Sequence, residues 1–281
     1  MKIGPYTLHE IHAGQLRLDG GAMFGIVPKP LWERRIPADD RNRIPLATRC
    51  LLLEGDGRVV LIDNGVGDKY DAKFADIYGV DQESADLHRS LAEAGFSVDD
   101  VTDVILTHLH FDHCGGSTTR DADGTLRVVF PNATFHVQRA HWTWAHESPR
   151  EGASFLPENL DPLEASGQLH LVDGPGPMLP GIEALIVDGH TRGQQLLKIS
   201  DDEQTLLYAA DLLPTAAHVP LLWVMAYDVA PLDTISEKEE ILDQAVREGW
   251  TVFFEHDTET ATARIEKSER GFQVVDRLTA L

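Results

Sequence analysis

Short apolar runs alternate along the chain with stretches of helical periodicity. Arg49-Cys50-Leu51-Leu52-Leu53-Glu54, then Gly55-Asp56-Gly57, then Val59-Val60-Leu61-Ile62-Asp63 read as a β-hairpin. Ser84 to Ala94 carries Ala85, Leu87, Leu91 and Ala94 at helical spacing, and Gly95 stops it. Val101 to Thr107 and Thr134 to Val137 read as strands, and Gln138 to His146 as a helix. The second half repeats this style. Ile182–Val187, Leu196–Ile199, Leu206–Ala210 and Thr251–Glu255 are predicted strands. Ser236 to Glu248 is a predicted helix, with Ser236 as N-cap, Glu239 completing a capping box and Gly249 ending it. Gly20 to Trp32 reads as a long irregular loop. No linker or low-complexity block divides the chain, so residues 1–281 are expected to form one domain.

Polar residues of one chemical kind follow these runs. Asp63, His108, His190, Asp211 and His256 each stand just past the end of an apolar run. In layered α/β structures, sites form in the loops beyond strand ends. The densest case is Thr107-His108-Leu109-His110-Phe111-Asp112-His113-Cys114-Gly115-Gly116, with four potential metal ligands in six residues. In an extended chain His108 and His110 leave the same face, because side chains alternate. Gly115 and Gly116 permit a tight, close approach of the backbone. Buried together, three histidines and an acid are costly without a cation.

Composition narrows the partners. The chain has 42% hydrophobic and 25% charged residues, as an ordinary globular protein does. Its net charge of −22 would repel a polyanion, which lowers the case for nucleic acid. The acidic excess suits either a solvated surface or a high-salt cytoplasm. No segment reaches the roughly eighteen apolar residues of a membrane span, and the start has no signal-peptide run. Cys50 and Cys114 are too few for a disulfide framework, so a cytoplasmic protein with reduced thiols is expected. Both cysteines are read as packing residues.

Together these motifs resemble the metallo-β-lactamase superfamily of hydrolases. Val60-Leu61-Ile62-Asp63-Asn64-Gly65 is similar to its first motif, and Thr107–Gly116 matches His-x-His-x-Asp-His. Asp188-Gly189-His190-Thr191, Ala209-Ala210-Asp211 and Phe254-Glu255-His256 resemble the remaining three. The resemblance implies an α/β fold, the four-layer αβ/βα sandwich. It also implies that His108, His110 and His190 hold one metal, that Asp112, His113 and His256 hold a second, and that Asp211 bridges them. Asp63 would orient ligands by hydrogen bonding. Two divalent ions are thus implied, zinc first, with Fe, Mn or Co suited to similar sets. A hydroxide shared by the metals would attack an ester-type bond, and Asp112 would be the catalytic proton carrier.

Departures from the family pattern refine the expectation. Asp211 stands where the β-lactamases proper use cysteine. Lactonases often carry Asp-x-x-Tyr, but here the fourth residue is Pro214, with Tyr227 or His218 as candidate substitutes. Nucleic-acid-processing members add a domain for which this chain has no room. Glyoxalase-type members have a longer region after the last histidine. The reading is therefore a lactonase-like or esterase-like hydrolase, with organophosphates as a further substrate class. A homodimer stays open. Two alternatives remain: a mononuclear iron enzyme of the sulfur-dioxygenase type, and a non-catalytic metal-binding scaffold. Met23, Phe24, Trp32, Trp142, Trp144, Phe155, Trp223 and Met225 are either pocket-lining or packing residues. Arg192 is either an anion anchor or a loop ion-pair residue, the latter preferred. His9, His12, His88, His136, His141, His146 and His170 have no matched spacing and are expected on the surface or on helices rather than as ligands.

Overall fold

The computed structural model describes residues 1–281. In chain order the strands are β1 (Lys2–Ile3), β2 (Tyr6–Asp19), β3 (Arg43–Gly55), β4 (Arg58–Ile62), β5 (Asp103–Ile105), β6 (Thr118–Arg120), β7 (Leu126–Val128), β8 (Thr134–Gln138) and β9 (Leu169–Val172). They continue as β10 (Gly176–Leu179), β11 (Ile182–Val187), β12 (Gln194–Ser200), β13 (Thr205–Tyr208), β14 (Thr251–Phe253), β15 (Thr262–Ser268) and β16 (Gly271–Leu278). The α-helices are α1 (Gly20–Phe24), α2 (Lys29–Trp32), α3 (Ala72–Tyr78), α4 (Leu87–Glu93), α5 (Phe111–Cys114), α6 (Arg139–Glu147), α7 (Pro157–Ser166) and α8 (Pro231–Glu248). None is long and apolar enough to cross a membrane.

The chain forms two compact units. One consists of Met1–Gln15 and Thr48–Gly174, the other of Leu16–Ala47 and Pro175–Leu281. The division falls inside β2 and β3.

In the first unit the sheet runs β1-β2-β3-β4-β5-β8-β9. β3 and β4 form the predicted antiparallel hairpin, with Leu52 opposite Leu61. β4, β5, β8 and β9 are parallel to one another. Parallel strands need crossovers, and the helical segments between them supply these. The core collects Leu52, Leu61, Val104, Leu106, Phe130, Phe135 and Leu163, all buried. Burial of each such side chain contributes roughly 1.5–3 kcal/mol. Cys50 is buried among them, as expected.

At the start of β5, Asp103 is buried and takes charge-assisted contacts from Arg58 and His136, both at 2.8 Å. Burial alone would raise its pKa. Hydrogen bonds from His136, Thr102 and Arg58 outweigh that and bring it to about 2. His136 is thus a buried structural residue, not the surface residue expected, because its carboxylate partner stands on the neighbouring strand.

In the second unit the sheet runs β10 to β16 in chain order. All neighbours are antiparallel except β13 and β14, which are parallel and joined through α8. Two antiparallel steps make β11 parallel to β13, so β11, β13 and β14 all end at one edge of this sheet.

Several element boundaries differ from the sequence reading. α8 begins at Pro231, not after Ser236. Proline suits the first helical turn, where its missing N–H has no helical partner, and Ser236 instead donates to the Leu232 carbonyl (3.2 Å) inside the helix. α4 starts after Asp86, whose carboxylate accepts from the Arg89 amide. β5 covers only three residues. Gly20–Trp32 contains the short helices α1 and α2, with Met23, Phe24 and Trp32 buried. Phe24 stacks on Trp32 and on His218 at centroid distances of 5.3 and 4.6 Å. Met23, Phe24 and Trp32 thus pack into a local core.

Candidate metal centre

In the first unit, β4 and β5 are parallel and deliver Asp63 and His108 beyond the same edge. Asp63 takes a left-handed φ of 56°. Acidic residues with short side chains tolerate that region better than most. Its carboxylate accepts from the Thr107 amide (2.8 Å), the Thr107 hydroxyl (2.6 Å) and His113 Nδ1 (3.1 Å). Asp63 thus fixes the His113 ring and the start of the His108 segment by hydrogen bonding. His108 and His110 come from an irregular segment outside the sheet, whereas Asp112 and His113 lie in the single turn of α5. All four are buried.

Gly115 and Gly116 are needed for close approach rather than for a bend. A Cβ on Gly115 would collide with the Val66 carbonyl, and one on Gly116 with the Asn64 carbonyl. Helical φ at Gly115 (−61°) imposes no demand of its own.

The hydrogen bonds assign the ring protons. Thr107 Oγ1 gives its proton to Asp63, so toward His108 Nδ1, 3.1 Å away, it accepts. His108 therefore presents a lone pair at Nε2. Glu151 Oε1 accepts from His110 Nε2 at 3.0 Å, which leaves the His110 lone pair on Nδ1. His108 Nε2 and His110 Nδ1 then face each other across 3.0 Å. Two acceptors at that distance repel, and an added proton or a metal ion between them resolves the conflict. His113 donates from Nδ1 to Asp63, so its Nε2 lone pair lies on the side of Asp112, 4.0 Å from Oδ1.

The second unit repeats this logic. The common edge of β11, β13 and β14 is followed by His190, Asp211 and His256. His190 donates from Nδ1 to Asp228 Oδ1 (3.0 Å), and His256 from Nδ1 to the Ala47 carbonyl (2.7 Å). Their Nε2 lone pairs face the two oxygens of Asp211, each at 3.2 Å. An anion flanked by two imidazole lone pairs is a cation site by its donor chemistry. In both units, therefore, the residues fit a divalent metal.

Several partners escaped the sequence reading. Glu151 follows α6 and is buried. Its Oε2 also accepts from Trp144 Nε1 (2.6 Å) and Ser148 (2.8 Å). Asp228 precedes α8 and is also buried. His141, expected on a surface or helix face, is on α6 but fully buried, and its Nε2 accepts from the Leu109 amide (2.8 Å). No fixed spacing links Glu151 to His110, Asp228 to His190 or His141 to Leu109.

Other candidates resolve into packing. Burial pushes the Cys114 thiol up to about 12, and its S–H donates to the Leu109 carbonyl (3.3 Å), so it is no thiolate ligand. Phe155 lies against the His110 ring (5.0 Å), Trp142 is part of the core, Met225 is buried, and Trp223 packs edge-on to Phe24. Arg192 is half-exposed, 3.9 Å from Asp233 in the first turn of α8, a surface ion pair. His218 cannot replace the lactonase tyrosine. Both its ring nitrogens are engaged, by Thr215 and the Met23 carbonyl, and burial lowers its pKa to about 3. Tyr227 is the more exposed of the two candidates.

Comparison with known proteins agrees with this chemistry. Residues 43–256, more than half of the chain, match the metallo-beta-lactamase superfamily model. A solved structure of a probable metal-dependent hydrolase from Staphylococcus aureus is 31% identical, with a TM-score of 0.90 over 99% of this chain and 98% of that one. An N-acyl homoserine lactonase from Bacillus cereus is 25% identical over 230 residues, covering 78% of this chain and 84% of its own. AidC, a dizinc quorum-quenching lactonase solved with its product, is 22% identical and shares the fold at a TM-score of 0.80, over 98% and 95% of the two chains. The expected fold class is borne out, and the chain belongs to the metallo-β-lactamase superfamily.

Proposed function

We propose that this chain is a dinuclear, zinc-dependent hydrolase of ester-type bonds, acting on a lactone or carboxylic ester. Residues 1–281 serve as one catalytic domain for a small-molecule substrate. On this reading His108, His110 and His190 would hold one ion and Asp112, His113 and His256 a second, with Asp211 as a ligand common to both. The observation that carries this reading is the commitment of one ring nitrogen in each of five histidines to an acceptor. Thr107, Glu151, Asp63, Asp228 and the Ala47 carbonyl each fix a tautomer and leave one lone pair for a metal. The lactonase relatives support the substrate class.

When bound, divalent ions supply Lewis-acid polarisation of the ester carbonyl and make water a nucleophile near neutral pH. The protein does the rest. Water adds to the carbonyl carbon and the acyl C–O bond breaks, giving an acid and an alcohol from an ester, or one hydroxy acid from a lactone. A carboxylate oxygen of Asp112 takes the proton released by the attacking water and returns it to the departing alkoxide. Buried Asp63, Glu151 and Asp228 hold the imidazoles still, so little reorganisation is needed during the reaction.

Elemental analysis of gently purified protein, with lactone and aryl-ester assays before and after chelation, tests the proposal. Two zinc ions per chain, with activity lost on chelation and restored by zinc, is the expected result. One iron per chain with oxygen uptake on a persulfide would replace it with the dioxygenase reading. Bound metal without turnover across lactone, ester, phosphoester and β-lactam panels would leave a binding scaffold.

A further inference from the structure

Two consecutive residues of α8, Glu237 and Lys238, grip separate segments that meet at His190. The Glu237 carboxylate accepts from the backbone amides of Asp188 (2.7 Å) and Gly189 (3.1 Å), immediately before His190. Gly189 runs so close to α8 that a Cβ there would overlap the Thr234 amide. Lys238 is fully buried. Its ammonium donates into four backbone carbonyls, of His218 (2.6 Å), Trp223 (2.9 Å), Pro220 (3.0 Å) and Leu221 (3.3 Å).

Those carbonyls belong to the segment between Asp211 and α8 that carries Asp228. Asp228 accepts from His190 Nδ1 with one oxygen and from the Met225 amide with the other (3.2 Å). The same segment returns to His190 through its backbone, with Val229 N donating to the His190 carbonyl and Ala230 N to that of Gly189. It has little regular structure of its own: one short 3₁₀ turn at Ala216–His218, then irregular chain to Pro231. Four carbonyls converging there would repel each other without a cation among them.

We propose that Glu237 and Lys238 are positioning residues that fix His190 from two sides. Glu237 anchors the backbone leading into it, and Lys238 acts as a tethered cation that folds the 215–229 segment so that Asp228 meets its ring. Burial pushes the Lys238 ammonium down to about 7, while Asp228 favours its charged form. Only that charged form has three protons to share among four carbonyls. The consequence for metal binding rests on the hydrolase reading above; the ordering of the segment does not.

Hydrogen–deuterium exchange on the full chain tests this without an activity assay. In Lys238→Met, amides of residues 216–229 should exchange at least about tenfold faster, as loss of a charge-assisted hydrogen-bond set implies, while β11 and β12 stay protected. Lys238→Ala should show the same loosening, and propylammonium, which refills the cavity with a cation, should slow exchange again. Glu237→Gln should speed exchange at residues 188–190. Wild-type exchange over 216–229 in Lys238→Met overturns the Lys238 role. If that variant does not fold, Lys238→Ala decides: recovery with propylammonium supports the role, and no response overturns it. Unchanged exchange at 188–190 in Glu237→Gln overturns the Glu237 role. A wild-type protein that binds no metal would sink the hydrolase reading and leave these exchange results standing.

Discussion

The two units assemble their donor sets by different means. In the first, His108, His110, Asp112 and His113 fall within six residues, and one of the orienting groups, Thr107, is their immediate neighbour. In the second, His190, Asp211 and His256 are spread over 67 positions. There a sheet edge brings three strand ends together, and orientation comes from a backbone carbonyl at Ala47 and from Asp228, on a segment without a sheet. A contiguous motif carries much of its geometry in local chain stiffness. A dispersed set depends on the sheet, and on side chains such as Glu237 and Lys238 that tie loops to a helix.

The largest expected effect comes from the donors themselves. His110→Ala or Asp112→Asn should cut ester hydrolysis on the order of a thousandfold or more, with circular dichroism and urea midpoint nearly unchanged. Wild-type turnover in either purified variant would remove it from the reaction. Asp211→Asn in the dispersed set should lower activity to a similar degree, and bound zinc per chain should fall as well. Retention of both metals and full turnover there would contradict a bridging role.

The orienting carboxylates sharpen the comparison at smaller scale. Glu151→Gln and Asp228→Asn should each weaken zinc binding roughly 10–100-fold, measured by chelator competition. Asp228→Asn should also accelerate amide exchange near Met225, whereas Glu151→Gln should leave that segment alone. Equal exchange patterns in the two variants would erase the contrast between a locally supported and a loop-supported set.

Away from the site, Asp103 tests the first unit alone. Its pKa of about 2 in the fold lies below the ordinary 3.8. A depressed carboxylate stabilises the fold above its unfolded pKa and loses that contribution as pH falls toward the folded value. Asp103 should therefore contribute about 2 kcal/mol at pH 7, and this should fade between about pH 4 and pH 2. Urea titrations of wild type and Asp103→Asn should differ by this amount at neutral pH and converge near pH 2. A constant difference across that range would show that packing, not ionisation, is responsible. The smallest effect is expected for Arg192→Ala, within about 0.5 kcal/mol in stability and with little change in KM. A large rise in KM would instead make Arg192 a substrate anchor.

Much of this molecule was legible in the residues. The hairpin at β3–β4, the strand β11 and the helix α6 follow from local periodicity. The donor types could be named because histidines and acids at the ends of apolar runs are costly to bury together without a cation. The start of α8 was misread because Ser236 and Glu239 mimic a capping box inside a helix that Pro231 had already begun. The burial of His136, and of His141 on its helix, is not visible in the local sequence because their partners, Asp103 and the Leu109 amide, lie 33 and 32 residues away.

By itself, the sequence determined which side chains are candidate metal donors, the strands that carry them, and the fold they resemble. Those properties depend on side-chain chemistry and on spacing within a few residues, whereas strands such as β2, β15 and β16 became visible only in the structure. Tertiary structure alone decided which nitrogen of each imidazole carries the proton, that Glu151 and Asp228 are the carboxylates that hold His110 and His190, and that Lys238 is a buried cation rather than a surface lysine. Each of these depends on groups brought together by sheet register and loop closure, and no periodicity in the chain encodes such a meeting.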